Sequence, residues 1–183
     1  VDKARHNMIE QQIRPWDVLD QRALDVLASL PREYFVPDRY RTLAFSDIAI
    51  PLGHGEVMLK PAVEGRILQA LALQPTDHVL EIGTGSGYLT AALARLAARV
   101  TSVDIVPEFI GSARRKFKVY GFNNVTLYTG DASCGWGEQR YDAIAVTGSV
   151  AIIADAWRQS LRFGGRLFIV VGQPPVLEAC LLT

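Results

Sequence analysis

The segment that decides the fold is Glu81-Ile82-Gly83-Thr84-Gly85-Ser86-Gly87-Tyr88, a glycine-rich stretch between two apolar runs. The run before it, 78–82, predicts a short buried strand, and the run after it, 88–98, predicts a helix. Glycines at such a junction allow a sharp turn and bring the backbone close to a ligand at the helix N-terminus. Because glycine turns between strands and helices are also common without a ligand, the loop alone leaves a purely structural turn open.

The chain beyond this loop alternates between short apolar runs and amphipathic stretches. The apolar runs predict further strands at 99–104, 125–128, 141–147 and 165–171, and the amphipathic stretches predict helices at 107–120 and 152–161. Residues 177–182 predict a hairpin strand at the sheet edge. Strands that alternate with helices predict an α/β fold, a doubly wound and mostly parallel sheet with helices on both faces.

A different pattern precedes the alternating part. Residues 2–30 predict two short helices separated at Pro15, and residues 31–60, rich in proline and glycine, predict a long irregular segment. A helix then begins at Pro61 and extends to about Leu73. With 183 residues and roughly 150 residues per domain, we expect one domain over 1–183. It consists of N-terminal helices and a substrate-side loop (1–60) and a cofactor-binding α/β core (61–183), whose C-terminal strand we expect to be incomplete.

Composition and charge exclude several classes of protein. Hydrophobic residues make up 49% and charged residues 21%, which is typical of a globular protein rather than a disordered one. Nineteen Lys and Arg balance nineteen Asp and Glu, so the net charge favours neither nucleic acid nor an anionic membrane as a partner. The basic residues Arg114, Arg115, Lys116 and Lys118 are interpreted as a solvated helix face.

The cysteine and histidine positions predict neither a metal site nor a disulfide framework. Cys134 and Cys180 lie 46 positions apart without a CxxC motif, which favours reduced thiols and a cytoplasmic location. No apolar run has the length of a membrane span. His78 is predicted to have a surface or capping role. Trp136 is predicted to plug the sheet rim, with a place in an adenine pocket as the alternative.

Acidic residues at the ends of the predicted strands indicate which ligand the glycine loop binds. Tyr88 stands where the dinucleotide fingerprint GxGxxG requires its last glycine, and Glu81 would crowd a pyrophosphate but attract an ammonium or sulfonium group. Asp104, 21 residues after Gly83, could accept hydrogen bonds from two ribose hydroxyls, and Asp131 could accept one from an adenine amino group. An adenosine that carries an amino acid therefore fits better than a dinucleotide, and no P-loop motif occurs.

These residues resemble a known group. The E-x-G-x-G-x-G loop, Asp104 and Gly130-Asp131 resemble the class I S-adenosylmethionine-dependent methyltransferases, which have a Rossmann-like fold. The resemblance narrows to the protein-L-isoaspartate O-methyltransferase family on segments that cover nearly the whole chain, in the family's order. They are 8–12 (MIEQQ), 31–37 (PREYFVP), 50–55 (IPLGHG), 79–88, 130–131 with 135–136, 141–147 and 164–167.

The resemblance implies S-adenosylmethionine as methyl donor, S-adenosylhomocysteine as product, and isoaspartyl-containing proteins or peptides as partners in protein repair. The cofactor-binding residues it implies are Glu81, Gly83, Thr84, Gly85, Ser86, Gly87, Tyr88, Asp104, Ile105, Gly130, Asp131 and Ala132. The substrate-binding residues it implies are Asp47, His54, Glu56, Val57, Met58, Leu59 and Lys60. Neither a catalytic residue nor the oligomeric state is identified.

One segment departs from the family. The family's Q-T-I-S-x-P stretch reads Glu56-Val57-Met58-Leu59-Lys60-Pro61 in this chain, so both hydroxyl side chains are replaced and a negative charge faces an anionic acceptor. A carboxylate acceptor is already nucleophilic at neutral pH, so the reaction requires positioning rather than a general base. Three readings stay open: isoaspartyl methyl transfer, methyl transfer to another acceptor, and a catalytically silent cofactor-binding module. A nicotinamide oxidoreductase is disfavoured by Glu81 and Tyr88.

Overall fold

The computed structural model describes residues 1–183 and has a six-stranded sheet at its centre. The strands of this sheet are β3 (His78–Ile82), β4 (Arg99–Asp104), β5 (Val125–Thr129), β6 (Tyr141–Val150), β7 (Leu161–Gln173) and β8 (Val176–Leu182). Their order is β5-β4-β3-β6-β7-β8, and every neighbouring pair is parallel except β7 and β8. The predicted doubly wound, mostly parallel sheet is confirmed.

Helices cover the two faces of the sheet unequally. The α-helices are α1 (Asp2–Met8), α2 (Gln21–Ser29), α3 (Pro61–Leu71), α4 (Tyr88–Leu96), α5 (Pro107–Tyr120) and α6 (Asp155–Gln159). The larger hydrophobic core joins α1 to α5 to one face, whereas a smaller core on the other face contains Trp157 from α6. The predicted helix 152–161 is therefore wrong in length, because β6 continues to Val150 and β7 begins at Leu161.

The N-terminal helical extension is confirmed, with more structure than the sequence predicted. After α1 the chain continues as a π-helical turn (Ile9–Ile13) and a 3-10 turn (Arg14–Trp16), which ends with Asp17 in the left-handed conformation. Asp20 caps α2 by accepting a hydrogen bond from the Ala23 amide. No helix of the chain has both the length and the apolar character that crossing a membrane requires.

The segment 31–60 is less irregular than the sequence predicted. It contains two 3-10 helices (Arg32–Tyr34 and Asp38–Leu43) and an antiparallel hairpin of β1 (Ile50–Gly53) and β2 (Glu56–Met58). Gly53, His54 and Gly55 all have positive φ in the hairpin turn. Without a sustained alternation of apolar and polar residues, so short a hairpin leaves little signal in the sequence.

His78 at the start of β3 has a different place from the predicted one. Its side chain is buried, its Nε2 lies 3.1 Å from Thr101 Oγ1, and its ring meets the Tyr141 ring edge-on. Burial lowers the pKa of His78, with smaller contributions from Arg99 and Arg162. The predicted surface role is wrong because β3 is a central strand whose first residue is already covered.

Candidate active site

A cavity of about 310 Å³ lies at the carboxyl ends of β3, β4, β5 and β6, beneath the β1–β2 hairpin. This is where parallel sheets bind ligands, since the loops that leave the strands converge there. The cavity brings together most residues implied for the site. From the cofactor set it is lined by Gly83, Thr84, Gly85, Ser86, Asp104, Ile105, Gly130, Asp131 and Ala132, and from the substrate set by Glu56, Val57, Met58 and Leu59.

The glycine loop is shaped by close contact with neighbouring elements. Gly83 has φ of +98°, and a Cβ on it would collide with Thr147 Oγ1. The Thr147 hydroxyl contacts two backbone oxygens, 2.8 Å from that of Gly83 and 3.1 Å from that of Ile82. Gly87, with φ of +80°, is the N-cap residue before α4, and a Cβ there would lie 3.1 Å from that of Ala113 on α5. The loop therefore follows one path, which requires glycine at both positions.

Asp104 holds the loop in place from the end of β4. Its Oδ2 accepts a hydrogen bond from the Gly85 amide at 2.8 Å, and its Oδ1 accepts one from the Val106 amide at 2.9 Å. The side chain is almost buried but borders the cavity. Because each carboxylate oxygen can accept more than one hydrogen bond, Asp104 retains acceptor capacity toward a ligand.

Asp131 is an exposed acid at the cavity wall after β5. The Ser133 amide donates to its Oδ1 at 2.9 Å, and this hydrogen bond lowers the pKa of Asp131 below its ordinary value. The adjacent Ala132 carbonyl accepts a hydrogen bond from the Trp157 indole, and Trp157 also lines the cavity. Trp136, in contrast, is absent from the cavity wall, and its ring packs on Gly130 and near Tyr128.

The β1–β2 hairpin and Leu59, which follows it, form one wall of the cavity. Val57 is 48% exposed, so an apolar side chain is presented where the family has a hydroxyl, whereas Met58 is buried. Leu52 on β1 approaches the glycine loop, with its Cδ1 3.3 Å from the position of a Cβ on Gly85. Apolar side chains thus form most of this wall, and Glu56 is the charged residue that the hairpin contributes to it.

Three residues of the implied substrate set lie outside the cavity wall. His54 is at the hairpin turn, where its ring meets Phe109 edge-on and its Nε2 is 3.9 Å from a Glu108 carboxylate oxygen. Lys60 precedes the first residue of α3, and Asp47 has one buried oxygen without a hydrogen-bond partner. The structure therefore brings together only the middle of the predicted substrate set.

Glu81 is one of three implied cofactor residues that the cavity wall does not include; the others are Gly87 and Tyr88. The side chain of Glu81 points to the sheet face that α4 covers, where it is fully buried and accepts hydrogen bonds from Thr90 and Ser102. Burial raises the pKa of Glu81 to about 8. The carboxyl group is therefore enclosed and does not border the cavity, and its predicted attraction of an ammonium or sulfonium group stays a prediction.

Lys116 departs from the predicted solvated basic face. Its ammonium donates to the carbonyls of Phe35 and Ser86, each at 3.0 Å, and so ties the N-terminal extension to the glycine loop. Burial lowers the pKa of Lys116 to about 8. The other three residues of that run, Arg114, Arg115 and Lys118, are exposed as predicted.

Several cavity residues were missed by the sequence analysis. Thr147, Gly148, Ser149 and Val150 line it at the end of β6, and the rule that ligands meet the carboxyl ends of strands could have found them. Glu64, Leu89 and Phe109 also line it, but each lies on a helix. Which helix faces point to the cavity depends on tertiary packing, so the sequence held no comparable signal for them.

Comparisons with known proteins agree with the geometry. The family model described as protein-L-isoaspartate(D-aspartate) O-methyltransferase matches residues 3–179. Protein-L-isoaspartate O-methyltransferase 2 of Marinobacter nauticus is 36% identical over 178 residues, which are 97% of this chain and 81% of the relative. The protein-L-isoaspartate O-methyltransferase of Roseiflexus castenholzii is 39% identical over 92% of this chain and 77% of its own length.

Solved structures resemble this chain over nearly its whole length. A protein-L-isoaspartate O-methyltransferase superposes with a TM-score of 0.81 at 26% identity, covering 97% of this chain and 59% of that one. A putative enzyme of this type from Plasmodium falciparum, in complex with S-adenosyl-L-homocysteine, gives a TM-score of 0.80 at 16% identity, covering 100% and 88%. The second likeness supports the fold alone.

The family match extends over nearly the whole chain and includes the N-terminal helices and the hairpin, not only the glycine loop. It confirms the predicted resemblance and, with it, the predicted class of enzyme, a methyltransferase that uses S-adenosylmethionine. The chain belongs to the protein-L-isoaspartate(D-aspartate) O-methyltransferase family.

Proposed function

We propose that this chain transfers a methyl group from S-adenosylmethionine to the α-carboxylate of isoaspartyl residues in proteins, and that this reaction survives the altered Glu56–Leu59 segment. The observation that carries the proposal is a single cavity bordered by the glycine loop and Asp104 on one side and by the β1–β2 hairpin on the other. Such a cavity allows a cofactor and an acceptor to meet.

The residues of the cavity fit the cofactor. Gly83 and Gly85 have no side chains and leave the loop backbone open to close approach by a ligand. The Asp104 carboxylate at the edge of the loop could accept hydrogen bonds from a ribose. Asp131, beyond β5, could accept a hydrogen bond from an adenine amino group. When bound, the cofactor would supply a methyl group on a positively charged sulfur.

The chain's own contribution to the reaction would be positioning and the exclusion of water. The acceptor carboxylate is ionised at neutral pH and needs no base, which agrees with the lack of any paired nucleophile and histidine at the cavity wall. Leu52, Val57 and Leu59 provide apolar cover on the acceptor side. They would keep water from the site in which two reactants must be held in line.

Glu56 opposes an anionic acceptor less than its sequence position suggests. The residue is exposed on β2, so water and salt screen its charge. A screened like charge weakens the binding of an isoaspartyl carboxylate without preventing it. We therefore expect methyl transfer with a higher KM than a neutral residue at position 56 would give.

The test is methyl transfer from labelled S-adenosylmethionine to an isoaspartyl peptide. The control is the same peptide with a normal aspartyl residue, and S-adenosylhomocysteine should inhibit the reaction. Transfer specific to the isoaspartyl peptide supports the proposal. Folded protein that binds the cofactor but transfers no methyl group to either peptide contradicts it.

A second candidate is methyl transfer to a different acceptor, favoured by the apolar wall of Val57, Met58 and Leu59. Turnover that appears only with a small molecule or with a lysate fraction would support it. Cofactor binding without turnover under any condition would instead support a silent binding module. We also propose a cytoplasmic location, which suits the two free cysteines.

A further inference from the structure

Glu64 is a buried carboxylate at the wall of the cavity that no predicted role includes. It lies in the first turn of α3, is 1% exposed, and lines the cavity. Its Oε2 accepts a hydrogen bond from Arg32, and no hydrogen bond to its Oε1 is formed within the chain. Oε1 belongs to a carboxylate that is almost fully buried and borders the cavity, so a ligand in the cavity can supply the hydrogen bond that the chain does not.

Arg32 is held by several contacts, and none of its hydrogen bonds goes to this second oxygen. The guanidinium is fully buried and donates to the carbonyls of Ala44 at 2.8 Å and Leu59 at 2.7 Å, in addition to Glu64. It also lies over the Tyr88 ring, 4.7 Å from its centroid. None of these three hydrogen bonds goes to Glu64 Oε1, which remains available to a molecule in the cavity.

The chemistry of the two reactants selects the group that fits this oxygen. An isoaspartyl carboxylate carries the same sign of charge, and a sulfonium has no hydrogen to donate. The adenosine end has its candidate partners in Asp104 and Asp131, which follow β4 and β5, whereas Glu64 lies on α3 close to Leu59. The α-ammonium of the cofactor's amino-acid moiety is the cationic donor that remains.

We propose that Glu64 Oε1 accepts a hydrogen bond from the α-ammonium of S-adenosylmethionine, with Arg32 holding the carboxylate in position. The inference rests on the proposed function, since it assigns a residue to the cofactor of the same site. Burial raises the pKa of Glu64 to about 7, against the opposing effect of Arg32. A bound ammonium would favour the ionised carboxylate.

The test measures how Glu64 and the ammonium depend on each other. Binding constants are determined by calorimetry for S-adenosylhomocysteine and for its deamino analogue, with the unaltered chain and with Glu64→Gln. In the variant, Arg32 takes the amide oxygen, so the amide NH₂ faces the ammonium. We expect S-adenosylhomocysteine to bind roughly tenfold or more weakly to Glu64→Gln, and the deamino analogue to bind within about twofold of its original affinity.

Asp77→Asn is the matched control, because Asp77 is another buried acid paired with an arginine, Arg166, but lies outside the cavity wall. It should weaken neither ligand. If Glu64→Gln does not fold, the double variant Arg32→Gln/Glu64→Gln removes both buried charges and should show the same selective loss.

The outcomes distinguish failure of the role proposed for Glu64 from failure of the proposed function. Equal weakening of both ligands, or no weakening of either, overturns the role of Glu64 while leaving cofactor binding intact. The unaltered chain alone gives a further check, since equal affinity for the two ligands overturns the role without any variant. If folded, unaltered chain binds neither ligand, the proposed function fails and the inference fails with it.

Discussion

At the scale of single residues, the acids of this chain differ in the environment that the fold gives them. Asp104 is accessible to the cavity and held by two backbone amides, whereas Glu81, only two residues before the first glycine of the loop, is enclosed beneath α4. Glu81 pairs with Ser102 of β4, and Asp104 lies two residues further along the same face, at the end of that strand. The position along the strand, not the face of the sheet, therefore decides which of the two carboxylates borders the cavity. The sequence motif contains both acids and does not distinguish their roles.

Asp104→Asn should weaken cofactor binding. The Asp104 carboxylate accepts hydrogen bonds from two backbone amides, and the NH₂ group of asparagine would repel one of these N–H donors. The substitution also removes the negative charge that strengthens both hydrogen bonds. We expect the affinity for S-adenosylhomocysteine, measured by calorimetry, to fall by roughly 10- to 100-fold. Asp155→Asn, at the exposed start of α6, should leave it unchanged. Undiminished affinity in Asp104→Asn would mean that the glycine loop is a structural turn.

Glu81→Gln should change how stability depends on pH. The pKa of Glu81 is about 8 in the folded chain and 4.5 ordinarily, so between these values the folded chain holds a proton that the unfolded chain has released. Stability due to this group is therefore present below pH 4.5 and is lost as the pH rises to 8. The loss is of the order of a few kcal/mol, at about 1.4 kcal/mol per pKa unit.

Glutamine stays neutral, so the difference in unfolding free energy between Glu81→Gln and the unaltered chain should move in favour of the variant from pH 5 to pH 8. Denaturant titrations at several pH values measure this difference. Glu138→Gln, at an exposed position, is the control, and its unfolding free energy should depend on pH in the same way as that of the unaltered chain. Glu64, whose pKa is raised in the same sense, leaves a residual slope in every variant. If the unfolding free energy of Glu81→Gln also depended on pH as that of the unaltered chain does, burial would not raise the pKa of Glu81.

At the scale of elements, the sequence predicted best where one pattern is sustained. The bounds of β3, β4 and α5 agree with the prediction because each is an uninterrupted apolar run or an amphipathic helix with a clear start, such as Pro107. The hairpin was missed because three or four residues per strand give too short a pattern. Lys116 and Glu64 were misread or missed because burial of a charge depends on partners distant in sequence, such as Phe35 and Arg32.

The junction between β3 and α4 gives the sharpest prediction at this scale. Gly83→Ala combines a positive φ with a collision against Thr147 and should lower the unfolding free energy by at least about 2 kcal/mol. Gly148→Ala is the control, because Gly148 also borders the cavity but has no atom within 4 Å of a Cβ. It should cost less than about 0.5 kcal/mol. Denaturant unfolding measures both, and equal losses would exclude strain at Gly83 as the cause.

At the scale of the whole molecule, the N-terminal extension and the α/β core share one interior. A Cβ on Gly65 of α3 would lie 3.1 Å from side-chain atoms of both Ile13 and Val18, which shows how closely the helices of the two parts pack. Arg32 donates to Glu64 and Lys116 donates to the Phe35 carbonyl across the same boundary. The extension also carries the hairpin that forms one wall of the cavity, so this wall depends on the packing of the two parts.

We therefore predict that the chain unfolds as one cooperative unit, as a single domain over 1–183 would. Because residues of α2 and of β3 belong to the same buried cluster, neither part can open without exposing the apolar surface of the other. Hydrogen exchange followed by mass spectrometry, at increasing denaturant, should give α2 (Gln21–Ser29) and β3 (His78–Ile82) the same free energy of opening. If α2 opened at a free energy lower by about 2 kcal/mol or more, the extension would be a separate unit. Its hairpin could then leave the cavity while the cofactor loop stayed folded.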